Sequence, residues 1–200
     1  MNFREDTWDK AIYTLVYEQN EYRVNNFTGK TVVDVGAHIG SFSLLAAHGG
    51  ASVVYAYEPN KSNYEMLLKN AQGTVIHPWY LGVHESSGLH LQSMPCSMPE
   101  NTGGCPTVLT NDEGVRSICM DDIIDMLGRI DILKLDCEGA EYPALFGCKQ
   151  LEKITAIVGE YHGHPERTIQ ELKAHLNDHG FSVGIEPTVD GLGHFFAVRI

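Results

Sequence analysis

The stretch Thr31-Val-Val-Asp-Val-Gly-Ala-His-Ile-Gly40 decides how this chain is read. Val32, Val33 and Val35 form a short β-branched run with one acid, Asp34, near its end. Gly36 and Gly40 bracket a turn, and Ser41-Phe-Ser-Leu-Leu-Ala-Ala47 follows with apolar residues at helical spacing. The pattern predicts a buried parallel strand, a tight turn and a crossover helix, the opening unit of a doubly wound α/β sheet. Glycine at the turn lets backbone approach a ligand closely, since it has no Cβ and takes positive φ freely.

The spacing narrows the ligand. A dinucleotide turn reads Gly-x-Gly-x-x-Gly and seats a pyrophosphate on the helix N-terminus. Here the order is Asp34-x-Gly36-x-x-x-Gly40, so one glycine is missing and a carboxylate precedes the turn. That carboxylate repels a diphosphate and suits a ligand with an amino or sulfonium cation, and S-adenosylmethionine (SAM) carries both. A plain packing turn is the alternative reading of this stretch taken alone.

Working outward, Ser52-Val-Val-Tyr-Ala-Tyr57 is a second strand, ended by Glu58-Pro59-Asn60, where Asn60 can cap the next helix, Lys61 to about Asn70. Glu58 stands about twenty residues beyond the glycine turn, where an acid can accept both ribose hydroxyls of an adenosine ligand. Upstream, Trp8, Ile12, Leu15 and Val16 predict an amphipathic helix over about Thr7 to Gln19, within an N-terminal extension of residues 1–28. Downstream, a third strand region spans Thr74 to Val83, extended at Leu89 to Gln92. The Pro-, Gly- and Asn-rich stretch Met94 to Asn111 is a loop and a candidate substrate-side lid.

The second half adds a short strand at Arg116–Met120, a short helix from Asp121 to Leu127 and an apolar strand Ile130-Asp-Ile-Leu-Lys-Leu-Asp136. A helix opens at Cys137-Glu-Gly-Ala-Glu141 and runs to about Phe146, and a further strand is Ile154 to Glu160. A helix over Glu166 to Asp178 and strands at Phe181–Ile185 and His194–Arg199 complete the set. The last two strands lie too close for a helical crossover, so they predict an antiparallel hairpin on a mostly parallel sheet of about seven strands with helices on both faces. Glu58, Asp136 and Glu160 each end a strand, and ligands of open α/β sheets bind beyond the carboxyl ends.

Composition sets limits. The 200 residues suit a single domain, and an apolar content of 43% supports a core. With 14 basic against 26 acidic residues the net charge is −12, which disfavours nucleic acid and anionic membranes as partners. The N-terminus lacks signal-peptide character and no apolar run spans a membrane, so the expectation is a soluble cytoplasmic protein. Cys96, Cys105, Cys119, Cys137 and Cys148 form no Cys-x-x-Cys pair, and they are expected to be reduced structural thiols rather than a zinc site.

The stretch Asp131-Ile-Leu-Lys-Leu-Asp-Cys-Glu-Gly-Ala-Glu141 resembles the Lys-x-Asp-x-Glu-Gly-Ala-Glu motif of the FkbM family of SAM-dependent methyltransferases. Val33-Asp-Val-Gly-Ala-His-Ile-Gly40, Tyr57-Glu-Pro-Asn60, Met120-Asp-Asp122 and Gly159-Glu-Tyr-His162 fall in the family's order, so the resemblance spans about residues 30 to 165. It implies a class I methyltransferase (Rossmann-like) sheet and methyl transfer from SAM, usually to a hydroxyl oxygen of a small natural product or sugar. The implied cofactor set is Asp34, Gly36, Ala37, His38 and Gly40 from the turn, Glu58, Pro59 and Asn60 from the second strand, and Asp136 and Glu138 from the motif. Two positions depart from the family. His38 stands where asparagine is common, and Cys137 replaces a usually aliphatic residue.

The sulfonium supplies an activated methyl group, so the protein must align the acceptor and remove its proton. The candidates for that proton are His162, Asp136 and Glu160, with His162 first because histidine titrates near neutral pH. Glu138 and Glu141 are also explained as acids of a first helical turn. His162 and His164 beside Asp136 and Glu160 have the donor types a divalent ion takes, but exposed histidines after a strand are the plainer reading and no metal ligand is assigned. Two other functions remain open: a non-catalytic adenosine-ligand module on the same fold, and, more weakly, an NAD-dependent oxidoreductase.

Overall fold

In a computed structural model of the chain, residues 1–96, 98–111, 113–189 and 191–200 are described. Ser97, inside the predicted substrate-side loop, lies outside the described residues. A short helix α1 (Asp9–Tyr13) continues into a wider turn at Thr14–Glu18, and then β1 (Thr31–Val35), α2 (Ser41–His48), β2 (Val53–Tyr57), α3 (Lys61–Asn70) and β3 (Ile76–Trp79) follow in alternation. Four short strands come next: β4 (Gly82–Val83), β5 (His90–Ser93), β6 (Thr107–Leu109) and β7 (Val115–Ile118). The chain closes with α4 (Met120–Leu127), β8 (Ile130–Leu135), α5 (Glu141–Gly147), β9 (Ile154–Tyr161), α6 (Ile169–Asp178), β10 (Phe181–Val189) and β11 (Leu192–Arg199).

The main sheet has seven strands in the order β10-β11-β9-β8-β1-β2-β3. β1 pairs parallel with β2 and β8, β8 with β9 and β2 with β3, while β11 runs antiparallel to both β9 and β10. This is the sheet that the sequence predicts, hairpin included. Alternate residues of each strand point to opposite faces, so the central strands feed two cores. Val33, Val35, Leu133 and Leu135 pack under α4, α5 and α6, whereas Val32, Val54, Ala56 and Ile132 pack with Phe42 of α2 and with Tyr22 and Phe27.

Beside the main sheet lies a small one of four strands, ordered β4-β7-β5-β6. It was not expected. Its strands are two to four residues long, too short to show periodicity, and β6 falls inside the predicted loop. Helix starts follow their caps: Asn60 Oδ1 accepts from the amides of Ser62 and Asn63. Thr168 and Glu171 form a capping box, which starts α6 at Ile169 rather than at Glu166. Among the described residues no helix is long and apolar enough to cross a membrane. The parallel strands β1, β2, β8 and β9 bring their carboxyl ends to one edge of the sheet, and the cavity lies there.

Candidate active site

The glycine turn is held by close backbone approach. Gly36 has φ +70°, and a Cβ on it would stand 1.8 Å from the carbonyl oxygen of Asp136. Its amide and that of Ala37 both donate to Tyr57 O at 3.0 Å, stitching the turn to β2. His38 also has positive φ, 53°, a conformation costly for a residue with a side chain. The next bond explains it: His38 N donates to Glu58 Oε2 at 2.8 Å.

Glu58 is 5% exposed, at the end of β2. Its other oxygen accepts from Asn60 N at 2.8 Å and from Asn63 Nδ2 at 3.4 Å. Burial outweighs these donors and pushes its carboxyl up to about 7. A carboxylate oxygen has two lone pairs, so Oε2 keeps one for a ligand hydroxyl, and both oxygens face donors at the cavity wall.

Asp34 corrects an expectation. It is fully buried, accepts from Ser43 Oγ at 2.6 Å and faces Lys134 Nζ at 3.2 Å, so its carboxylate is closed off from a ligand. The two are register partners on the adjacent parallel strands β1 and β8. Lys134 Nζ also donates to Gly36 O at 2.7 Å and Val35 O at 3.3 Å, and stands 3.7 Å from Asp136 Oδ2. Burial disfavours its cation, but the Asp34 and Asp136 carboxylates outweigh burial and hold the ammonium charged. Lys134 therefore fixes the turn, a role the sequence reading missed. The available signal was a lysine inside an apolar strand, where an unpaired charge is costly.

On the opposite wall Asp136 Oδ2 accepts from the Tyr22 hydroxyl at 2.8 Å. Burial works to raise its pKa, yet Lys134, His162 and Tyr22 keep it below the usual carboxylate range. Glu160 is pushed up to about 7 by burial and by Asp136, and burial does the same to Glu21 and Glu138. His162 Nδ1 faces Glu141 Oε1 at 3.1 Å, and Nε2 faces Glu138 Oε2 at 3.5 Å. These carboxylates overcome burial and raise the imidazole to about 10. These neighbours favour the protonated imidazole over the neutral form that a ready base needs. Glu141, fully buried, also accepts from the amides of Cys137 and Gly139 and so clamps the motif loop. Donor atoms of Asp136, Glu160 and His162 lie within 4.8 Å of one another.

Between these walls is a cavity of about 320 Å³. Its lining includes Gly36, His38, Glu58, Pro59, Asn60, Asp136, Glu138 and Glu160, so eight of the residues expected from sequence meet there. Asp34, Ala37, Gly40 and His162 are not part of the lining. Ala37 and Gly40 shape the turn from behind, and Gly40 is needed because its φ of +97° lies in the region that favours glycine. His164 points away from the cluster, its ring centroid 5.1 Å from that of Tyr142.

Two segments cover the cavity: the N-terminal residues Trp8, Ile12 and Val16, and the loop Asn101–Thr107. Arg4 and Asp9 pair at 2.7 Å, and Thr102 Oγ1 lies 2.8 Å from Arg4 Nη2 and from His38 Nε2. The two covers therefore meet over the turn. His38, which departs from the family's usual asparagine, is the residue they close upon. Cys96 and Cys105 are joined in a disulfide within the loop, against the expectation of reduced thiols. Spacing alone did not show that this loop folds back on itself.

A model of the FkbM methyltransferase domain matches residues 34–183. A search of curated proteins finds no match. Among solved structures, methyltransferase FkbM from Methylobacillus flagellatus KT has a TM-score of 0.61 at 18% identity, covering 92% of this chain and 47% of that one. The chain thus spans about half the length of that protein. The precorrin-6y C5,15-methyltransferase of Geobacter metallireducens GS-15 has a TM-score of 0.58 at 11% identity, over 100% of this chain and 94% of its own. An rRNA methylase from Streptococcus thermophilus has 0.58 at 9%, over 92% and 96%. At such identities the likeness is one of fold, that of the class I methyltransferases.

Proposed function

Because the chain belongs to the FkbM methyltransferase family, we propose that it transfers a methyl group from SAM to a hydroxyl oxygen of a small natural product or sugar. The observation that carries this reading is Glu58. Its buried carboxylate, tied to the glycine turn through His38 N at 2.8 Å, stands where it can accept ribose hydroxyls while the turn keeps backbone close to the ligand. Gly36, Pro59 and Asn60 line the same half of the cavity. Asp136, held ionised by Lys134, His162 and Tyr22, lines the same cavity and presents the sign of charge that suits a sulfonium and an amino group.

SAM supplies the methyl group as an activated electrophile. This chain's residues do the rest. The covers formed by the N-terminal segment and the Asn101–Thr107 loop narrow the cavity's opening to solvent, which strengthens polar contacts inside. Asp136 and Glu160, which line the cavity, face the acceptor side and handle its hydroxyl with His162 beside them, while Lys134 holds Asp136 and the turn in register. Alignment for in-line attack is the main contribution of such a site.

The test is a calorimetric titration with SAM, its demethylated product and NAD. The first two should bind and NAD should not. Tight NAD binding with no response to SAM would end this reading, and SAM binding without turnover on any hydroxyl library would leave a non-catalytic adenosine-ligand module.

A further inference from the structure

The acceptor half of this cavity carries one more assignment, which rests on the methyltransferase reading. Asp136 and Glu160 stand at the ends of the neighbouring strands β8 and β9, and His162 follows β9 directly. One donor atom from each lies within 4.8 Å of the others. Two donors on one ion, each at roughly 2.1 Å, stand no more than about 4.2 Å apart, so a small side-chain rotation completes a shared site.

The surrounding residues hold these donors in the orientation such a site needs. His162 Nδ1 is engaged by the buried Glu141 at 3.1 Å, which leaves Nε2, 3.5 Å from Glu138 Oε2, as the ring nitrogen turned to the ion. A carboxylate behind the imidazole is the outer contact that metal-bound histidines have. Asp136 is held through Oδ2 by the Tyr22 hydroxyl at 2.8 Å. Among the described residues the Glu160 carboxylate has no hydrogen-bond donor. Glu138 Oε2, 3.5 Å from His162 Nε2, adds further negative charge at the same point.

We propose that Asp136, Glu160 and His162 bind one divalent transition-metal ion, which coordinates the hydroxyl oxygen of the methyl acceptor. One imidazole with two carboxylates suits Mn²⁺ or Zn²⁺ better than Mg²⁺ or Ca²⁺, whose sites are built from oxygen alone. The ion acts as a Lewis acid that makes the bound hydroxyl more acidic. The oxygen then attacks the methyl carbon as the carbon–sulfur bond breaks, its electron pair stays on sulfur, and the hydroxyl proton passes to solvent.

The experiment is a Mn²⁺ titration of protein stripped with EDTA, followed by calorimetry and by the electron paramagnetic resonance signal of the free ion, with SAM titrated into the same samples. One saturable Mn²⁺ per chain is expected, weakened at least about 10-fold in Asp136→Asn, Glu160→Gln and His162→Ala. His164→Ala, which leaves the cluster untouched, should bind as the parent does. SAM binding retained by Glu160→Gln shows that this variant keeps its fold. Absence of saturable Mn²⁺ binding, or binding unchanged in Glu160→Gln and His162→Ala, overturns the site. If SAM binds while Mn²⁺ does not, the metal fails and the methyltransferase reading stands; Mn²⁺ binding with no SAM binding keeps the metal site but ends the methyltransferase reading and, with it, the ion's role at a methyl acceptor.

Discussion

Replacing Gly36 with alanine separates two costs that one residue can hide. Gly36 and Gly29 share a φ of +70°, but a Cβ on Gly29 meets nothing within 4 Å, whereas one on Gly36 would stand 1.8 Å from Asp136 O and 2.8 Å from its carbonyl carbon. Gly29→Ala should therefore cost only the left-handed strain, roughly 1–2 kcal/mol. Gly36→Ala adds a backbone clash, and relieving it means parting β1 from the end of β8 by about 1.5 Å. That movement disrupts the 2.7 Å bond from Lys134 to Gly36 O and the 3.2 Å bond from Asp136 N to Val35 O. A total of about 4–5 kcal/mol follows, within the range for a broken buried network. Denaturant unfolding reads both values directly, and SAM calorimetry should show Gly29→Ala unimpaired and Gly36→Ala without measurable binding. If the two variants unfold within about 1 kcal/mol of each other, the close approach of turn and β8 is wrong.

Three further outcomes follow from the same geometry. Glu58, pushed up to about 7 against 4.5 unfolded, must be ionised to accept a ribose hydroxyl while its amide donors stay bound. SAM affinity should thus climb as pH rises through 7, up to roughly tenfold per unit below it. Glu58→Gln should lose that share of the slope, and calorimetry at pH 6 and 8 on both proteins decides, since Glu138 and Glu160 titrate in the same window. The same sign means that, for Glu58, the empty protein loses stability between pH 4.5 and 7 as its unfolded chain ionises first. Lys134→Met strands the buried Asp34 carboxylate and should cost about 3–5 kcal/mol, part of which Asp34→Asn in the same chain should restore; equal stability of single and double variants would remove the pair from the fold. Tyr22→Phe removes the donor to Asp136 and should cost about 1–2 kcal/mol in chemical denaturation, and an unchanged midpoint would show that water replaces the hydroxyl at no cost.

Local pattern made much of this molecule legible. Three valines before Gly36, an acid at or next to the end of each of β2, β8 and β9, and two closely spaced terminal strands were enough to predict the seven-stranded sheet and the edge where its cavity lies. Strand and turn formation depend on neighbours in sequence, so a sequence reading recovers them. Glu58 was legible for the same reason, since a strand end and a glycine turn fix its place. The small sheet was not, because strands of two to four residues gain their stability only from partners far along the chain.

Charge state and closure belong to the tertiary structure. Asp34 looked like a ligand contact until Lys134, a hundred residues away in sequence and its register partner in space, took its carboxylate. His162 looked like a base until Glu138, Glu141 and Asp136 gathered around it and raised its pKa. Arg4, Asp9 and Thr102 carry no motif, yet together they close two segments over His38. A pairing between distant residues is decided by strand order and burial. The sequence determined which groups reach the edge of the sheet, and only the fold decided which of them are neutralised there and which stay free to act, because solvation and neighbouring charge are properties of the assembled site.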